Sequence, residues 1–272
     1  MELKAQLISR SREDRFQPGD SELKRVPAVD KCFAILDLIA GSGKPLGVSE
    51  MSRRLCLNKS TVFYIVRTLA DLEILEYRPD GKLAVGTRLY VLGKTAGSKT
   101  DLVRTVHPYL RAICRESRIA SFLVVRSGMD AVIVDKSAAS AYVHVSYEIG
   151  SRLPLVVGAA GIALLCRLSH GELDSILQEK GALDLVCSVY RDEARFREEI
   201  LKVRATGIAV DIEEHVKGVI GLAVPINTHR EDLQAAVLAV GLERQLRDGR
   251  VLSVSKQIMD ISAKLDRRFS SL

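Results

Sequence analysis

The chain has no tryptophan and only seven tyrosines and six phenylalanines in 272 residues. That scarcity excludes a platform of exposed rings for stacking single-stranded bases. Its five cysteines, Cys32, Cys56, Cys114, Cys166 and Cys187, are odd in number, widely spaced and never in a Cys-x-x-Cys pair. A disulfide framework and a zinc cluster are both excluded on that count, and reduced, mostly buried thiols are expected. No stretch approaches the roughly 18 apolar residues of a membrane-spanning helix. The start Met1-Glu2-Leu3-Lys4 also lacks the apolar run of a secretory signal, so a cytoplasmic protein without membrane contact is expected. Charge of one sign does not dominate either: 40 Lys and Arg stand against 34 Asp and Glu, a net +6 with a pI near 9.1. Such a balance permits nucleic-acid binding without assigning it. What the chain does have is 47% hydrophobic residues, ample for one large domain or two modest ones, which excludes a disordered or fibrous protein.

Residues 1–25 are polar, carry both signs of charge and contain Gln17-Pro18-Gly19-Asp20-Ser21, the composition of a tail without a fold of its own. From Val29 the pattern changes. Val29, Cys32, Phe33, Leu36 and Ile39 recur at helical spacing until Gly41. Val48-Ser49-Glu50 opens a short second helix in which Met51 and Leu55 share a face, ending by Cys56. After a turn through Leu57-Asn58, a third helix carries Val62, Ile65, Val66, Leu69 and Leu72 as its apolar stripe. Lys59, Ser60, Thr61, Tyr64, Arg67 and Thr68 are left facing outward. Two short helices across so tight a turn suggest helix-turn-helix. Ile74 to Val85, two β-prone runs around Asp80-Gly81, then give the signal of a hairpin, a candidate wing.

Beyond a linker helix from Arg88, the spacing predicts a helix starting at Pro108, where a proline is tolerated in the first turn. Strands are expected at Phe122 to Arg126, Ala131 to Asp135, Tyr142 to Val145, Ile208 to Asp211, Val219 to Val224 and Leu233 to Val240. Helices are expected near Ala159 to Leu168, Glu172 to Glu179 and Glu193 to Arg204, with a closing helix from about Ser253. The fold class is α+β. The division read from the pattern is a tail at 1–25, a winged helix-turn-helix at 26–87, a linker helix at 88–104 and a second domain at 105–272. No internal repeat is present.

At these residues the sequence resembles the IclR family of bacterial transcriptional regulators, from Val29 to Phe269. The resemblance rests on Lys59-Ser60-Thr61-Val62, Arg67-Thr68-Leu69, Asp80-Gly81, Leu89 to Gly93, Gly150-Ser151-Arg152-Leu153-Pro154-Leu155, Gly207-Ile208-Ala209-Val210-Asp211 with Glu213-Glu214, Gly218-Val219 and Ala223-Val224-Pro225. It implies a winged-helix reader of an operator in double-stranded DNA, a linker helix used in dimerisation, a homodimer or tetramer, and a GAF-like α/β domain that binds a small-molecule effector. Family habit favours repression, with activation of a catabolic operon as the alternative.

In such a reader the second of the paired helices enters the major groove. Lys59, Ser60 and Thr61 then stand at a helix N-terminus that favours phosphate, with Tyr64 and Arg67 further along. A plain capping role is the alternative for Ser60 or Thr61 taken singly. Arg53 and Arg54 suit either a phosphate clamp or a solvated face, and Lys82 in the wing suits a minor-groove contact. Two departures stand out: Phe63 and Tyr64 replace the basic or imidazole side chains common in the family, and Glu73 replaces the glycine usual after the recognition helix.

By the same resemblance the effector site falls at Leu155, Ala159, Ala160, Asp211, Gly221, Leu238 and Val240. Relatives that sense small polar carboxylates place a cysteine and serine hydroxyls at the last three of these positions. Without those donors a small hydrated carboxylate would lose water contacts unreplaced, so a larger, more apolar organic acid or related metabolite is expected. Leu238 and Val240 also suit plain core packing, and Asp211 suits the cap of a neighbouring loop as well as a ligand contact.

An enzyme is the rival class, through His107, His144, His215, Asp135, Asp211 and Cys166, but no nucleophile or metal spacing joins them. Glu213, Glu214 and His215 lack a second set of ligands. Gly41-Ser42-Gly43-Lys44 is no phosphate loop: Leu38 occupies the required glycine position and Pro45 follows the lysine. No catalytic residue, metal or cofactor is assigned. A ligand-binding module without DNA binding remains the third reading.

Overall fold

The computed structural model describes residues 26–95, 97–138, 147–212, 216–230, 232–247 and 249–270. The expected tail at 1–25, the strand at Tyr142 to Val145, His144 and the group Glu213, Glu214 and His215 lie outside them. The chain divides into two compact units, Met1–Ala96 and Gly97–Leu272.

The first unit begins with α1 (Pro27–Ser42), which has proline in its first turn and ends on Gly43 in the left-handed region. It continues with α2 (Val48–Leu55), α3 (Lys59–Asp71), β1 (Leu75–Tyr77) and β2 (Leu83–Val85). The two strands pair antiparallel, Leu75 opposite Val85 and Tyr77 opposite Leu83, so the hairpin around Asp80-Gly81 forms as read. Their core joins Ile35, Ile39, Leu46, Met51, Val62, Val66, Leu69, Leu75 and Leu83. The inward face of α1 differs from the expected one. Val29 and Phe33 are exposed, and Ile35 is wholly buried with Ile39.

Between α2 and α3 the turn is held by Ser52, whose hydroxyl donates to the Leu57 carbonyl at 2.6 Å. Cys56 takes a left-handed φ of 52° there. Glu73 keeps the geometry of the missing glycine at φ 60°. Its N–H donates to Ala70 O at 2.9 Å and that of Ile74 to Leu69 O at 2.8 Å, so the two bonds of a Schellman ending are both made. Gly86 is the complement: a β-carbon there would sit 2.3 Å from the Glu73 carbonyl oxygen. The turn therefore tolerates a side chain at 73 and none at 86.

A short helix, α4 (Thr87–Thr95), closes this unit, and α5 (Gly97–Ser117) opens the next. Pro108 sits inside α5 and does not start it, a correction of the sequence reading. Leu102, Val106, Leu110 and Ile113 are buried on both sides of the proline, and that packing outweighs the lost backbone bond. The break between units falls within the segment 88–104 assigned to a linker.

The second unit continues with β3 (Ala120–Ser127), β4 (Asp130–Ser137), β5 (Arg152–Pro154), α6 (Gly158–Leu165), α7 (His170–Leu177), α8 (Ala182–Tyr190), α9 (Glu193–Thr206), β6 (Ala209–Ile212), β7 (Val219–Ile226), β8 (Ala235–Leu242) and α10 (Arg250–Ser270). The sheet order is β5-β4-β3-β8-β7-β6, antiparallel throughout. Alternation of period two sends Phe122, Val124, Ala223, Leu238 and Val240 to the core shared with α6 and α9. Leu123, Val125, Leu222, Val224, Val237 and Ala239 face the core under α5 and α10. The result is a winged helix-turn-helix followed by an α/β domain whose sheet lies between two helical layers.

Candidate functional site

In the first unit, α3 buries Val62, Val66 and Leu69 and turns a stripe outward at helical spacing: Lys59, Ser60, Phe63, Tyr64, Arg67 and Thr68 are exposed. Thr61 is only half exposed. Asn58 holds the N-cap position, so neither Ser60 nor Thr61 caps the helix. No acidic side chain stands in its first turn, leaving the positive end of the helix uncompensated. Arg53 and Arg54 are exposed on the last turn of α2, with Arg54 bonded to Glu50 one turn back. Lys82 lies on the hairpin but is drawn to its neighbour, its Nζ standing 2.8 Å from Asp80 Oδ2. That hydrogen bond holds the Asp80 carboxyl below the usual range, and an exposed pair of this kind exchanges readily for another partner. Phe63 belongs to the outward stripe although the sequence reading gave it no binding role.

In the second unit, a recess of about 450 Å³, counted with its open mouth, is lined by Tyr147, Leu153, Val157, Gly158, Ala159, Ala160, Asp211, Val216, Val219, Gly221, Leu238 and Val240. Its floor follows from strand register. Asp211 pairs with Gly221 across β6 and β7, and Gly221 with Val240 across β7 and β8, so three strands present one row toward α6. Gly221 leaves that row open. The nearest atoms to a β-carbon on it would be side-chain carbons of Ala159, Asp211 and Leu238, at 3.6 to 3.9 Å, ordinary contact distances.

The wall is the first turn of α6, set by close approach of backbones. A β-carbon on Gly161 would stand 2.0 Å from the Leu155 carbonyl oxygen, so only glycine lets the helix pack there. At the other end of α6, Arg204 donates from Nε to Cys166 O at 2.7 Å and from Nη2 to Leu168 O, placing a cation against terminal carbonyls. Gly158 N–H donates to the Tyr190 hydroxyl at 3.1 Å. The amides of Ala159 and Ala160 follow in the same turn, where no carbonyl of the helix can take them.

Six of the seven positions expected from the sequence, Ala159, Ala160, Asp211, Gly221, Leu238 and Val240, meet in this one recess. Leu155 does not: it is wholly buried and acts as the backbone buttress of Gly161. Tyr147 is the lining residue the sequence reading passed over. Its ring packs edge-on against Phe122 at 5.5 Å between centroids. Burial, with the Asp211 charge, pushes its phenol above the usual range, so it stays a neutral hydroxyl. Asp211 Oδ2 lies 3.2 Å from where a β-carbon on Gly158 would sit, so the carboxylate stands against the start of α6. Among the described residues no Lys, Arg or His lines the recess.

Of the groups that pointed to an enzyme, His107 and Asp135 do meet, Nδ1 to Oδ2 at 2.8 Å, tying α5 to β4. Cys166 is buried and its Sγ donates to Ala163 O, and burial pushes the thiol up, the opposite of an activated nucleophile. Among the described residues no group of three or more His, Cys, Asp or Glu is arranged to hold a metal, and no helix is long and apolar enough to cross a membrane.

Comparison with known proteins bears on both units. The family model of the IclR helix-turn-helix domain matches residues 28–79, and that of the bacterial transcriptional regulator IclR C-terminal matches residues 94–267. The HTH-type transcriptional repressor AllR of Escherichia coli K12 is 28% identical over 252 residues, covering 90% of this chain and 92% of the relative. The transcriptional repressor IclR of the same organism is 24% identical over 252 residues, covering 91% and 92%. Among solved structures, Thermotoga maritima IclR aligns at a TM-score of 0.69 with 21% identity, over 90% of this chain and 99% of that one. An IclR homologue from Microbacterium hydrocarbonoxydans, complexed with 4-hydroxybenzoate, aligns at 0.73 with 19% identity, over 90% and 100%. With both domain models matched in order along its length, the chain belongs to the IclR family of bacterial transcriptional regulators.

Proposed function

We propose that the protein is a ligand-responsive repressor: α3 reads an operator in the major groove, and the recess at the start of α6 takes the effector. The observation that carries the second half is the single row Asp211, Gly221 and Val240 opening beneath the amides of Ala159 and Ala160. Arg53, Lys59, Ser60, Thr61, Tyr64, Arg67 and Lys82 form the DNA-contacting set. A pseudo-palindromic operator follows from a homodimer, or a dimer of dimers, whose paired readers are joined through α4. On that helix Tyr90 and Val91 are exposed. The protein acts without catalysis.

The lining selects the effector class. Aliphatic walls and the absence of serine or cysteine at 221, 238 and 240 leave a small hydrated acid without replacement for its water contacts. Asp211 accepts a hydrogen bond and repels an anion, so the group facing it is a donor such as a hydroxyl. A carboxylate on the same molecule has its place at the amides of α6. A mainly apolar acid bearing a hydroxyl satisfies both, and the bound 4-hydroxybenzoate of the Microbacterium hydrocarbonoxydans homologue is a molecule of that kind.

Isothermal titration separates the classes. Binding of 4-hydroxybenzoate or a similar hydroxylated apolar acid is expected with the wild type and is lost in Gly221→Val, whose side chain fills the floor. Micromolar binding of glyoxylate or pyruvate would defeat the assignment.

A further inference from the structure

On the outward face of α3 two aromatic rings stand side by side. Phe63 is 43% exposed and Tyr64 65%, their centroids 5.7 Å apart and their planes at 72°. Spacing places them between Ser60 and Arg67 on the stripe that the helix turns away from its own core. Phenylalanine has no polar atom, so Phe63 can neither hold a phosphate nor form a hydrogen bond to a base edge. Its contact must be apolar. The most prominent apolar group that a base pair displays in the major groove, and the only methyl, is the C5 methyl of thymine.

The surroundings decide that the occupant is a duplex rather than a protein surface. Lys59 and Arg67 flank the rings on α3, Arg53 and Arg54 stand exposed on α2, and the first turn of α3 carries no acidic residue. An apolar pair framed by cations suits the groove of a polyanion. The edge-to-face packing of Tyr64 holds the Phe63 ring in place, so little side-chain freedom is lost on contact.

The geometry points to Phe63 as a specificity-determining residue that recognises a thymine methyl in each operator half-site, with Tyr64 as its positioning neighbour. This rests on α3 entering the major groove, and the test separates the two claims. Operator DNA is first selected from random duplexes by the full-length chain, and each thymine is then replaced singly by deoxyuridine, which removes the methyl and keeps the base pairing.

For the wild type, one or two positions per half-site are expected to lose about fourfold in affinity, the equivalent of one buried methyl. In Phe63→Ala the difference between thymine and deoxyuridine at those positions falls to none, and Phe63→Leu keeps part of it. Thermal melting of each variant accompanies the titration, and the leucine variant serves where the alanine variant does not fold. Specific binding that is indifferent to every methyl, or a methyl effect unchanged in both variants, overturns the role of Phe63. Failure to select any sequence overturns the groove reading of α3 and this inference with it.

Discussion

Replacing Arg67 by alanine is expected to weaken operator binding by about 5- to 150-fold while the melting temperature stays unchanged, because a direct base contact is worth roughly 1–3 kcal/mol. Arg67 is exposed on the outward face of α3, two turns from its start, and among the described residues it makes no ion pair. Its guanidinium therefore contributes little to folding, and an exposed side chain of this kind changes stability by only a few tenths of a kcal/mol on removal. Lys59 provides the contrast. At the first position of the helix it sits where phosphate is favoured, so Lys59→Ala lowers affinity for specific and scrambled duplexes alike. Fluorescence anisotropy at one fixed salt concentration, with both duplexes, distinguishes the two patterns. An Arg67→Ala protein that keeps wild-type affinity for its operator would show that this face of α3 stays out of the groove.

The second large effect lies in the other unit. Gly161→Ala brings a β-carbon to 2.0 Å from the Leu155 carbonyl oxygen and 2.8 Å from its carbon, a contact that backbone must move to relieve. A destabilisation of about 3 kcal/mol is expected, at the upper end of what overpacking usually costs. The displaced element is the wall of the recess, so ligand binding falls with stability. Gly171→Ala is the control, since a β-carbon there meets nothing within 4 Å. Calorimetric melting of both variants checks the difference, and equal melting temperatures would contradict the packing described for α6.

How far the sequence anticipated the structure follows from which forces were local. Helical periodicity and the Asp80-Gly81 turn are local signals, and α2, α3 and the hairpin form where they were read. On α1 the spacing points to a face through Val29 and Phe33, yet both are exposed and Ile35 is buried in their place, because the choice depends on what α3 and the hairpin present opposite. Pro108 was read as a boundary by its missing N–H. It lies inside α5 because the sheet buries the helix on both sides of it.

The recess was legible as positions, through family likeness, and its physical cause emerges only from register. Asp211, Gly221 and Val240 are far apart in sequence and adjacent across three strands. Tyr147 gave no signal because it lies in an irregular segment without periodicity. Leu155 sits in the right neighbourhood, with its backbone rather than its side chain doing the positioning. Phe63 departs from the family pattern, and only its exposure beside Tyr64 on the outward face of α3 suggests a role.

Under the proposed function, occupancy of the recess changes the hold of α3 on DNA. A ligand shifts that hold only by preferring one arrangement of the readers, typically by 1–3 kcal/mol, or about 5- to 150-fold in affinity. The most direct measurement is the operator dissociation constant, taken by anisotropy at constant salt, with and without a saturating ligand that calorimetry has shown to bind. A weakening of operator binding within that range is expected, absent in Gly221→Val. An operator affinity that stays the same with the recess full would contradict it.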